Sequence, residues 1–195
     1  YTILLNVLPM PLDLDQRQAP IPIELPASSE QLQETLEKAG CASWSNVMAG
    51  ILDCPIPAWN HRIFMDDEVP QVIQLAEKLR QLDTEGKLTK YKAILAATDC
   101  QEVADAVALA ETVDEYTLLP DIRTLEEASA DDLRISIDST TMERLQPYID
   151  LRGYGVAMLE FHNAKLTSYG RMDRAGEPIQ LVRDEPQQGG MEMMQ

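Results

Sequence analysis

The sequence predicts an α+β chain built from three successive sections. Three observations carry that expectation. Short apolar stretches near the N-terminus are bounded by proline, in the manner of strands. A middle block repeats apolar residues at helical spacing between glycine and capping signals. Acid-rich helical signals then give way to a closing stretch patterned like a hairpin. At 195 residues, with 45% hydrophobic and 25% charged side chains, the chain has a globular composition and the length to bury a core.

The opening TILLNVLPMPLDL reads as a strand running into a Pro-punctuated loop. In APIPIELP, Ile21, Ile23 and Leu25 alternate with Pro22 and Glu24. That suits an edge strand, because proline cannot donate to a ladder. SSEQLQETLEKAG then gives a helix with a capping box: Ser28 as N-cap, Gln31 three residues on, Leu32 and Leu36 on one face, and Gly40 as the stop. Residues 41–65 hold apolar runs broken by Gly50, Pro55 and Pro57, read as short strands. Residues 1–65 thus form a small α/β domain.

Residues 66–115 read as a helical section. Pro70 sits where a first turn tolerates it, and Val69, Val72, Ile73, Ala76 and Leu79 mark one face. Gly86 separates this helix from KLTKYKAILAAT, with Leu88, Tyr91, Ile94 and Leu95 inward. Asp99 with Glu102 reads as a capping box opening a third helix, followed by Val103, Val107, Ala110 and Val113. Three short helices with tight links predict a bundle.

Residues 116–182 read as a C-terminal α/β section. Extended YTLLP leads to a capping box of Thr124 and Glu127 and a short helix. MERLQPYID is another helix, interrupted or ended around Pro147. GYGVAMLEFHNAKLTSYGRMD reads as the hairpin: a strand through Val156, Met158 and Glu160, a turn at His162–Ala164, and a return through Leu166. Residues 183–195 read as a frayed polar tail.

The net charge is −17, unevenly spread. Residues 1–98 hold 13 acids and 8 bases, residues 99–150 hold 14 and 3, and residues 151–195 hold 6 and 5. Such a field repels nucleic acid and anionic membranes and attracts basic surfaces. No apolar run approaches the ~20 residues of a membrane span, and no basic-then-apolar start marks a secretory signal. Cys41, Cys54 and Cys100 are odd in number and include no CxxC pair. They read as buried free thiols, and a cytoplasmic setting is expected.

Few groups with catalytic potential stand out, and neither a cofactor nor a metal is expected. His61 and His162 sit beside turns without an HxH or HExxH partner, and read as surface turn residues. No GxSxG or GxxxxGK[ST] occurs, and Gly153 with Gly155 is too short for a phosphate loop. Asp66, Asp67 and Glu68 lack the spacing of a calcium loop and read as a negative first turn of a helix. Lys87, Lys90 and Lys92 read as solvated or paired with helix acids.

The acids of residues 99–150 are harder to dismiss. In 111–134, eight carboxylates are threaded among Tyr116, Leu118, Leu119, Ile122, Leu125 and Leu133, so the segment reads as folded. An ordinary solvated surface intersperses both signs, because like charges destabilise the compact state. Solubility is one explanation for the excess. Competition with DNA for a basic groove is another. B-DNA carries one charge per ~1.7 Å of axis, so the net charge of the chain matches roughly 30 Å of duplex, and that of a dimer roughly 60 Å.

The runs VPQVIQLAEKLRQLDTEGKLTKYKAIL, EVADAVALAETVDEYTLLPDIRTLEE and GYGVAMLEFHNAKLTSYGRM together resemble the ArdA antirestriction family, in particular divergent members on mobile elements of Firmicutes. The resemblance covers roughly residues 65–172 and rests on fold-pattern motifs. It implies an elongated three-part chain that forms a homodimer and has no chemistry of its own. Its acidic surface would imitate bent B-DNA and occupy the DNA groove of a type I restriction-modification enzyme. The phosphate surrogates would be Glu111, Asp114, Glu115, Asp121, Glu126, Glu127, Asp131 and Asp132, with Asp99, Glu102 and Asp105 extending the row. An acidic adaptor for a basic protein of the mobile element, and an anti-CRISPR inhibitor, are the alternatives that the same charge allows.

Overall fold

β1 (Ile3–Pro9) and β2 (Ile21–Leu25) pair antiparallel, with Leu5 opposite Ile23. The computed structural model describes residues 2–10 and 19–181, and the class is α+β as expected. The loop expected after β1 falls largely, and the tail expected from residue 183 wholly, outside the described residues. β3 (Val47–Asp53) and β4 (Ile63–Met65) complete a four-stranded antiparallel sheet in the order β2-β1-β3-β4. β2 is an edge strand, which accommodates Pro22. Alternation sorts the faces: Ile3, Leu5 and Val7 are buried, while Leu4, Asn6 and Leu8 are half-buried.

Helix α1 (Ser29–Ala39) has the expected capping box, with the Ser28 hydroxyl accepting from the Gln31 N–H at 3.2 Å. It ends at Gly40 in the left-handed region, φ 67°. Helices α2 (Glu68–Thr84), α3 (Leu88–Thr98) and α4 (Val103–Glu111) follow, α2 packing chiefly on α4. All four inward residues expected on α3 are buried. On α2, Val69, Val72, Ala76 and Leu79 are buried as expected and Ile73 is half-buried, while Leu75 and Leu82 join the buried face, because the helix is wedged between the sheet and α4. The Tyr91 hydroxyl ties α3 to α4 by donating to the Ala106 carbonyl at 2.7 Å.

The capping box expected of Asp99 and Glu102 is corrected. Asp99 closes α3 in the left-handed region (φ 51°), and Glu102 is the residue before α4, with no side-chain cap. Burial of Cys100 between them turns the chain inward at that point.

The last section opens with a short 3-10 turn (Val113–Glu115) and β5 (Thr117–Leu119). Helix α5 (Leu125–Ser136) starts at the Thr124–Glu127 capping box, as expected. Helix α6 (Ser139–Leu145) passes into a 3-10 turn (Gln146–Tyr148) at Pro147, also as expected. The first arm of the expected hairpin is instead helix α7 (Leu151–Phe161), capped by Asp150. The alternation of Val156, Met158 and Glu160 is overridden by packing: Gly155 brings α7 against the backbone of α5. The turn at residues 162–164 stands, and β6 (Lys165–Thr167) and β7 (Gly170–Asp173) follow. β5, β7 and β6 form a second antiparallel sheet in that order.

One buried apolar cluster runs from Ile3 through α2, α3 and α4 to Tyr116, and takes in Met172 and Ile179. Ile122, Ala128, Leu133 and Ala164 are buried outside that cluster, under α5 and α7.

Candidate functional site

The acid-rich stretch divides into a pinned part and an open part. Glu111, at the end of α4, pairs with Lys78 of α2 at 3.1 Å. Asp114 accepts from Lys87 at 2.8 Å, with Lys90 at 3.8 Å. The Lys87 hydrogen bond holds the Asp114 carboxyl below the usual carboxylate range, and the Lys87 ammonium is raised in return. Glu115 accepts from Arg174 at 2.7 Å, and the Arg174 guanidinium lies 5.3 Å from the centre of the Tyr116 ring. Several of these groups line a cleft of about 460 Å³ between α2 and α4.

Reading the sequence locally, only Arg123, Arg134 and Arg144 faced the acids of residues 99–150. The fold brings Lys78, Lys87, Lys90 and Arg174 to them from outside that stretch. No local spacing signals those partners.

The open part begins at the turn after β5. Asp121 and Glu126 are exposed and Asp131 is half-buried, and none of them has a cation within 4 Å among the described residues. Arg123 turns away, its Nε donating to the Pro120 carbonyl at 3.0 Å. Glu127 is structural: it accepts from the backbone N–H of Arg123 (2.7 Å) and of Thr124 (3.0 Å). Those two bonds, Arg123 first, lower its carboxyl. Asp132 accepts from the Tyr154 hydroxyl at 2.7 Å, which raises the phenol, and lies 3.5 Å from Nε2 of His162.

The extending residues occupy different settings. Asp99 and Glu102 are exposed, and Asp99 accepts from the Gln101 amide at 3.0 Å. Asp105 is half-buried in the first turn of α4.

The remaining chemical candidates are placed as follows. His61 is an exposed turn residue at φ 68°, whereas His162 faces Asp132 and stacks edgewise on Phe161. Glu68 lies in the first turn of α2, where its carboxylate accepts from the Met65 N–H at 3.3 Å. No group of three or more His, Cys, Asp or Glu arranged to hold a metal occurs among the described residues. Cys54 and Cys100 are buried, and burial pushes both thiols up to about 11.

What the sequence reading missed is apolar. Ile135, Tyr148 and Phe161 are 84%, 85% and 75% exposed. No helix among the described residues is long and apolar enough to cross a membrane. No family model matches the chain, and no curated protein matches it.

Proposed function

We propose that this chain is a non-enzymatic inhibitor that acts in the cytoplasm as a mimic of DNA, occupying the basic groove of a type I restriction-modification enzyme. The observation that carries the reading is the run of acids on α5, in which Glu126 and Asp131 have no cation within 4 Å among the described residues. Glu126, Glu127, Asp131 and Asp132 span six residue steps of helix. At ~1.5 Å per residue they cover about 9 Å as two adjacent pairs, a mean density of one carboxylate per about 3 Å of axis. A strand of B-DNA carries one charge per ~3.4 Å. The helix that holds them is capped at its start and packed on α7, so the charges stand on a rigid element rather than a loop.

The resemblance to the ArdA family in residues 65–172 supports the same reading and adds a homodimer to the proposal. The pinned acids contribute less than their number implies, since each already faces a cation. The strongest surrogates are therefore Asp121, Glu126 and Asp131, with Glu127 and Asp132 beside them.

The test is competition. The protein is titrated into a type I methyltransferase bound to labelled duplex, at low and high salt. The expected result is displacement that weakens with salt, and that weakens again in the triple variant Asp121→Asn/Glu126→Gln/Asp131→Asn. Single variants register little, because the effect sums many screened charges. Absence of displacement at low salt would sink the proposal.

A further inference from the structure

The stretch from the end of α5 to the end of α7 leaves large apolar side chains in water. Ile135, Tyr148 and Phe161 have the three highest exposures among the exposed large hydrophobics of the described residues. Leu145 and Val156, each 42% exposed, belong to the same stretch. α6 and the 3-10 turn after it bury no residue at all. Singly scattered apolar side chains are ordinary on a protein surface, but here five of the nine exposed large hydrophobics of the described residues fall in one stretch, with the Asp132–His162 pair linking the helix of Ile135 to the end of the helix of Phe161. Tyrosine and phenylalanine are also what interface centres select.

The charges around them state the chemistry of that partner. Between residues 131 and 162 stand Asp131, Asp132, Asp138, Glu143, Asp150 and Glu160, against Arg134, Arg144 and Arg152. Asp132 lies one turn before Ile135 on α5 and faces His162, the neighbour of Phe161. An acid-rimmed apolar surface complements a basic protein surface with an apolar recess, and repels nucleic acid and anionic lipid.

We propose that Ile135, Tyr148 and Phe161 are apolar anchors that hold a basic protein surface, namely the wall of the groove that the acid row enters. This rests on the inhibitor reading above and gives it selectivity. Carboxylates alone attract any DNA-binding groove and lose hold as salt rises. Burial of apolar area is not screened by salt, so the anchors let the chain keep one enzyme while releasing others.

The experiment measures binding of the full chain to a type I methyltransferase at low and high salt. The wild type is compared with Ile135→Ser/Tyr148→Ala and with Glu126→Gln/Asp131→Asn. Ile135 and Tyr148 are more than four-fifths exposed, so their loss leaves the core intact, checked by an unchanged thermal melt. The expected result is a roughly tenfold or greater loss of affinity in the first variant at both salts, with the salt dependence unchanged. The second variant instead flattens the salt dependence. Equal binding by the first variant and the wild type overturns the anchors alone. A wild type that does not bind overturns the inhibitor reading and the anchors together. A first variant that turns a dimer into a monomer by light scattering assigns the surface to a second copy and also overturns the proposal.

Discussion

Replacing Gly155 by alanine tests whether α7 seats directly on the backbone of α5. A Cβ on Gly155 would run into the Leu125 carbonyl oxygen, with the Leu125 carbonyl carbon and Ser129 Oγ each 2.9 Å away. The main obstacle is backbone, so the two helices must part. Overpacking of this kind costs about 1–3 kcal/mol, and a contact this close belongs at the upper end. The better helix propensity of alanine returns about 1 kcal/mol, leaving a net loss of about 2 kcal/mol. For a chain of this length that lowers Tm by roughly 4–8 °C. Gly153→Ala is the control. Its Cβ would meet Oδ2 of Asp150 at 2.5 Å, a side chain free to swing aside. The lost cap costs about 1 kcal/mol and the propensity gain nearly cancels it. Urea unfolding of both variants reads the difference directly. Gly155→Ala within about 0.5 kcal/mol of the wild type, or less destabilised than Gly153→Ala, would refute the close packing of α7 on α5.

Three further outcomes are expected. Thr124→Ala removes one half of the capping box that starts α5 and should lower stability by about 1 kcal/mol in urea unfolding, with no change in m. Asp114 and Glu127 have depressed carboxyl values in the folded state, so they stabilise it above the unfolded value of about 4 and cease to do so as pH falls through the folded values. The urea midpoint should therefore drop between about pH 5 and pH 3, and less steeply in Glu127→Gln; equal slopes would refute the assignment. With Cys54 and Cys100 buried and their thiols raised, a thiol reagent at neutral pH should titrate Cys41 first and the other two only on unfolding.

Features determined within one turn of chain were legible in the sequence. The Ser28–Gln31 and Thr124–Glu127 boxes, the edge strand around Pro22 and the inward face of α3 all follow from residues a few positions apart. Features determined across the fold were not. α7 carries two glycines and an alternating apolar pattern, and only the close approach of α5 makes a helix the better solution. Asp99 and Glu102 have the spacing of a cap, but burying Cys100 outweighs it. The acid row was legible as composition. Its division was not, because Lys78, Lys87 and Arg174 reach Glu111, Asp114 and Glu115 from distant segments. Nor does a sequence pattern distinguish a buried apolar residue from Tyr148 or Ile135, which are exposed.

The sheet β5-β7-β6 has one more consequence. Everything from Pro120 to Ala164 leaves from β5 and returns at β6, two strands that flank β7. This excursion has its own small set of buried residues, outside the main cluster. The entropy of closing such a loop grows only slowly, by about 0.6 kcal/mol for each doubling of its length. The excursion is therefore a cassette. Descendants of this chain can lengthen, shorten or exchange the helices that carry the open acids and the exposed rings while the strands that hold them stay fixed. The surface they present can then drift faster than the fold.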